Sequence, residues 1–251
     1  ILSRIYARNR EVCCKNKDVT MLNEKFRKDY RPLNYHIHHV DLSLELEKED
    51  TFVSSDLHVR RTNECPKDTP FVLNGKELEF VSVSVNGREL DDDEFEVTPD
   101  ELIIYSLPDV SIVHVENYIH PTKNTSCEGL YRSDDIYTTQ CEAENFRRIT
   151  YYQDRPDNLA TFTTTLIADK KENPLLLSNG NVISQENLEG NKHKAVFHDP
   201  NPKPSYLFAL VAGHLRTVQD YFMTEDGRKV DLKIHVRGDK ITQTMHAMNV
   251  L

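Results

Sequence analysis

The stretch that most limits what this chain can fold into is HIHHVDLSLELE, residues 36–47, where side-chain character alternates with a period of two. Successive side chains of an extended chain point to opposite faces, so this pattern describes a half-buried strand and cannot form an amphipathic helix. It places His36, His38, Val40, Leu42, Leu44 and Leu46 on one face and Ile37, His39, Asp41, Ser43 and Glu45 on the other. His36 and His38, two residues apart on one face, have a spacing that can ligate a metal. The sequence fixes no carboxylate or thiol beside them, so strand-surface histidines are the preferred reading.

The same texture continues. FVLNGKELEF, VSVSVNGREL and PLLLSNGNVI each set Asn-Gly beside apolar or β-branched residues, the dipeptide that tolerates the positive φ of a tight turn. ELIIYSLP and SIVHVENYI add strands that stop at Pro108 and Pro121. Up to residue 214 no long helical period competes, and many short strands with frequent turns predict a mostly antiparallel β domain. RTVQDYFMTEDGRKVDLKIHVRG then reads as two strands around Asp226-Gly227. DKITQTMHAMNVL opens a helical period with Ile241, Met245, Met248 and Leu251 on one face.

Charge and cysteine usage exclude several function classes. With 31 basic and 41 acidic residues the net charge is −10, the wrong sign for sequence-independent nucleic-acid binding. No apolar run approaches a membrane span, and residues 1–20 lack the apolar stretch of a signal peptide. The five cysteines, at 13, 14, 65, 127 and 141, make an odd number without C-x-x-C spacing; reduced thiols in a cytoplasmic setting follow. Asn124-Thr125-Ser126 matches a glycosylation sequon, which matters only in a secretory context. Residues 1–28 carry a surplus of five positive charges and begin without Met. The expectation is a trimmed end and a flexible basic extension over 1–26, with no membrane contact through Cys13-Cys14.

Chemistry concentrates in TQCEAENFRRITYYQDRP, residues 139–156, which brings together an amide, a thiol, two carboxylates and two guanidinium groups. On an extended segment Glu142 and Glu144 share a face and suit a cationic ligand, or else pair with Arg147 and Arg148. Cys141 points the opposite way and is expected to be packed rather than reactive. A structural ion-pair role is expected for both arginines.

These residues, together with Glu128-Gly129-Leu130-Tyr131, Asp154-Arg155-Pro156-Asp157, Leu177-Ser178-Asn179-Gly180-Asn181, Pro202-Lys203-Pro204 and Tyr206 to Gly213, resemble the M1 family of zinc aminopeptidases, its aminopeptidase N branch in particular. The resemblance runs from about Arg27 to the end. It implies a saddle-like or sandwich antiparallel N-terminal β domain over 27–214, and at 215–251 the first strands and helix start of a thermolysin-like catalytic domain. It further implies that Gln140 and Glu142 line the pocket for the substrate's first residue, Glu142 holding the free α-ammonium. A non-proline cis peptide at Glu142-Ala143 goes with this.

The family's zinc motif H-E-x-x-H and its G-A-M-E-N motif occur nowhere in these 251 residues. The expectation is therefore that this portion binds no metal and has no catalytic residue. Zinc, peptide substrates with a free N-terminus and a catalytic domain packed on this one belong to the full-length enzyme. The rival expectation is a non-catalytic β-sandwich module for protein–protein contact.

Overall fold

The computed structural model describes residues 26–251. Its contacts divide the chain into residues 1–32 and residues 33–251. In the first unit, Arg27–Asp29 form one 3₁₀ turn, and the expectations for residues 1–25, including Cys13-Cys14, lie outside the described residues.

The second unit is built from β-sheets. The strands of the largest are β1 (Tyr35–Leu46), β2 (Thr51–Arg61), β4 (Glu79–Val85), β5 (Arg88–Glu89), β8 (Val110–Ile119), β11 (Ala160–Asp169), β13 (Asn181–Asn187) and β14 (Lys192–Lys203). These eight lie in the order β13-β14-β11-β1-β2-β8-β4-β5. Neighbours are antiparallel except β1 and β11, which run parallel with Asp41 opposite Thr163. A three-stranded sheet joins β3 (Phe71–Asn74), β7 (Glu101–Ile104) and β6 (Phe95–Val97). A four-stranded sheet joins β12 (Leu175–Ser178), β15 (Leu210–Gly213), β10 (Ile136–Gln140) and β9 (Gly129–Ser133). The mainly antiparallel reading holds. Val40, Leu42 and Leu44 of β1 join one continuous core with Val53, Leu57, Val113, Val115, Phe71, Leu102 and Tyr137.

β1 departs from simple alternation. A bulge between Ile37 and His39 shifts its register against β2, so Tyr35 and Ile37 face the core with Val40, Leu42, Leu44 and Leu46. His36 and His38 therefore do not share the apolar face, and His38 is exposed. The extra residue of a bulge reverses the phase of everything before it. Two contacts hold it there: the buried Asn158 accepts the Ile37 N–H at 3.0 Å, and the Tyr35 ring meets Phe71 edge-on at 5.1 Å.

The three Asn-Gly pairs do three different things. Asn86 and Gly87, both at positive φ, close the β4–β5 hairpin. Asn179-Gly180 links strands of different sheets, with Gly180 at φ +80°. Asn74-Gly75 is no hairpin turn: Asn74 bridges to Tyr152, N–H to carbonyl both ways at 2.8 and 3.0 Å. A Cβ on Gly75 would fall 2.3 Å from the Tyr151 ring, so this glycine serves close approach.

At the end of the chain β16 (Arg216–Met223) and β17 (Lys229–Val236) pair around Gly227. The helix Thr244–Val250 follows a 3₁₀ stretch, Gly238–Gln243. Its covered face is Thr244 and Met248, while Met245 and Leu251 are exposed. The tighter 3₁₀ turn, three residues rather than 3.6, rotates the face away from the one a single helical period predicts. Among the described residues no helix is long and apolar enough to cross a membrane.

Candidate functional site

β10 ends at Gln140, paired with Gly129 of β9. The chain then leaves the sheet through a turn at 142–145 and re-enters the core at a 3₁₀ turn, Phe146–Arg148. The extended-segment geometry for Glu142 and Glu144 is thus replaced by a compact loop. The Glu142–Ala143 peptide bond is cis. Gln140, Glu142 and Glu144 are exposed, while Cys141 between them is 3% exposed. Burial pushes the Cys141 thiol up to about 12, with a smaller contribution from the Asp154 charge. That keeps it protonated and unreactive, the packed role expected of it.

The loop closes on itself around the Glu142 carbonyl. That oxygen accepts from Asn145 Nδ2 at 3.1 Å and from Gln140 Nε2 at 3.4 Å, and Asn145 N–H donates to the Cys141 carbonyl at 2.9 Å. Asn145 is a member of the loop that reasoning from residue type passed over. Asn is a turn-prone residue because its short amide bonds nearby backbone, which is the signal this position carried.

Below the loop the anchorage is dense. Phe146 is fully buried and packs edge-on against Tyr152, Phe162 and Phe208 at centroid distances of 5.0, 6.0 and 5.3 Å. A buried phenylalanine contributes about 1.5–3 kcal/mol by removal from water. Arg147 pairs with Asp154 at 3.1 Å and reaches Glu144 at 3.3 Å. Arg148 pairs with Glu77 and, at 2.9 Å, with Glu128. Asp154 also accepts from Ser205 Oγ at 2.6 Å. Both arginines thus have the structural ion-pair role expected of them, and Glu144 is committed to Arg147. The Glu142 carboxylate makes no ion pair or hydrogen bond among the described residues. The arrangement is one free carboxylate and one amide at the tip of a loop whose root is locked into the core.

The mainly antiparallel β architecture is that of the N-terminal domain of a peptidase family, as comparisons with known proteins show. The family model described as Peptidase M1 N-terminal domain matches residues 31–207. The chain belongs to the M1 peptidase family. It is 44% identical over 230 residues to aminopeptidase N of Escherichia coli (strain K12), covering 90% of this chain and 26% of that protein. With aminopeptidase N of Caulobacter vibrioides it shares 43% over 223 residues, 89% of this chain and 26% of the relative. Among solved structures it resembles Legionella pneumophila aminopeptidase A in complex with aspartic acid, with a TM-score of 0.79, 36% identity, and coverage of 86% of this chain and 25% of that one. An M1 zinc metallopeptidase from Deinococcus radiodurans shares the fold at a TM-score of 0.67 and 16% identity, with coverage of 80% of this chain and 47% of that one. The chain spans about a quarter of the length of the curated relatives it matches.

Proposed function

We propose that this chain is the N-terminal portion of a zinc metallo-aminopeptidase that removes N-terminal residues from peptides, and that its loop recognises the substrate's N-terminus. Residues 27–214 are the β domain, and 215–251 open a thermolysin-like catalytic domain that packs on it. The observation that carries the reading is the unpaired Glu142 carboxylate on a loop whose other acids and bases are engaged. A substrate α-ammonium supplies the missing partner, and a charge-assisted bond in a closed cleft is strong and directional. An internal peptide segment offers no cation there and leaves the carboxylate unpaired, which selects for exopeptidase action. Gln140, beside it, offers an amide to the first residue.

Zinc in the full-length enzyme would activate the attacking water. No residues of this chain fit the two-histidine helical motif, so its own part is binding and orientation. The free thiols Cys65, Cys127 and Cys141 support a reducing, cytoplasmic setting. In the full-length protein, Glu142→Ala is expected to raise KM for peptides with a free N-terminus by about tenfold or more, the worth of a lost charged hydrogen bond. Zinc content should stay unchanged. An unaltered KM, or loss of zinc, overturns the assignment.

A further inference from the structure

The outer face of the eight-stranded sheet carries a row of polar side chains set by strand register rather than by sequence proximity. His198 of β14 lies opposite Thr163, Thr163 opposite Asp41, Asp41 opposite Asp56, and Asp56 opposite His114. One residue-pair further along, His39 of β1 lies opposite both His58 of β2 and Thr161 of β11. Within this field His39, Asp41 and His58 bring their ligand atoms within 4.8 Å of one another, all partly exposed. His39 Nε2 is 3.1 Å from one Asp41 oxygen and His58 Nε2 is 2.9 Å from the other.

We propose that His39, Asp41 and His58 form a binding site for a divalent first-row transition-metal ion, zinc being the natural probe. Three observations support it. The donor set is two imidazoles and one carboxylate, the mixture that such ions take and that magnesium and calcium do not favour. The spacing is close: ligand atoms about 2.0–2.1 Å from one ion lie about 2.9–3.4 Å apart; the two histidines approach the two oxygens of one carboxylate at 3.1 and 2.9 Å, and a ligand atom from each of the three residues lies within 4.8 Å of the others. The outer partner is also in place. Thr161 Oγ1 lies 2.6 Å from His39 Nδ1 and donates to the His38 carbonyl at 3.3 Å. Ligation through His39 Nε2 requires the Nδ1–H tautomer, and Thr161 Oγ1 is placed to accept that proton while its own goes to the His38 carbonyl; Thr163 Oγ1, 3.3 Å from Nε2, borders the same position. Metal-ligating histidines are oriented in this way.

His39 and Asp41 share a face because they are two residues apart on one strand, and the β1–β2 register sets His58 opposite His39. The site is independent of the Gln140–Glu142 loop, and of the reading of that loop as a peptide-recognition element.

The test is the number of zinc equivalents retained by the purified full-length protein after equilibrium dialysis against buffered micromolar Zn²⁺. Wild type is expected to hold one equivalent more than His39→Gln/His58→Gln, with peptide hydrolysis the same in both. Thr161→Val should keep the equivalent at saturating zinc but weaken its affinity about 10–100-fold. Asp41→Asn, nearly isosteric, carries the comparison should the double variant fold poorly. Equal zinc content in wild type, the double variant and Asp41→Asn overturns the proposal, as does an affinity that Thr161→Val leaves untouched.

Discussion

Arg147 and Asp154 hold the loop that follows β10 to the core through three bonds. Asp154 Oδ2 accepts from both the backbone N–H and the Nε of Arg147 at 3.1 Å, and Arg147 Nη2 donates to the Asp154 carbonyl at 3.0 Å. The aspartate side chain is 1% exposed, so its charge is compensated only by the groups around it. Arg147 keeps Glu144 as a partner, but removing the carboxylate strands the Arg147 backbone N–H and the buried Ser205 hydroxyl, and each buried polar group left unsatisfied costs about 1–3 kcal/mol. Asp154→Ala is therefore expected to lower unfolding free energy by that order in urea titration. A Glu144→Ala variant, losing only an exposed partner of Arg147, should stay within about 0.5 kcal/mol of wild type.

Phe146 is the second root of the loop. Phe146→Ala leaves a cavity among Tyr152, Phe162 and Phe208, and truncation of a buried aromatic costs about 3–5 kcal/mol. Phe146→Leu, which retains most of the volume, should cost less than half of that. Denaturation midpoints of the two variants check the ordering.

Two glycines at positive φ separate strain from crowding. A Cβ added at Gly87, φ +79°, would meet only open space, whereas at Gly180, φ +80°, it would fall 2.2 Å from the His198 carbonyl oxygen. Gly87→Ala is expected to cost about 1–2 kcal/mol, the conformational penalty alone. Gly180→Ala must also displace β14 and should cost more than Gly87→Ala by at least about 1 kcal/mol. Thermal melts of the pair test this.

The buried Cys141 thiol gives a pH signature. Its folded pKa, about 12, lies above that of an unfolded cysteine. As pH rises past about 8.5 the unfolded chain releases this proton and the folded one keeps it. Stability that is intact below that pH is therefore lost as pH climbs toward 12, at about 1.4 kcal/mol per pH unit for this one group. Cys141→Ala should flatten the decline between about pH 9 and 10, before the buried tyrosines begin to contribute. In thiol labelling at about pH 8 followed by peptide mapping, exposed Cys127 should react readily and Cys141 should be protected.

Much of this protein was legible residue by residue. The period-two alternation of β1 and β2 reappears as alternating burial, because a strand's two faces are set by backbone geometry at short range. The turns at Asn86-Gly87 and Asp226-Gly227 followed from local φ preference. The acids and arginines of residues 139–156 marked the loop now proposed for substrate recognition, and the family's motif blocks identified its relatives.

What the sequence did not contain was partnership across the chain. Whether Glu144 or Glu142 was the paired acid depended on where Arg147 and Arg148 were drawn by Asp154, Glu77 and Glu128. His36 and His38 were read as strand-surface histidines, and the grouping of His39 and Asp41 with His58 became visible only through the cross-strand register of β1 and β2. The Asn74-Gly75 pair looked like a turn and became a docking point for Tyr151 and Tyr152. Local composition determines which segments are strands and turns, since those preferences act over a few bonds. Register, bulges and ion-pair partners join residues as distant in the chain as Ile37 and Asn158, so only the packed tertiary structure decides them.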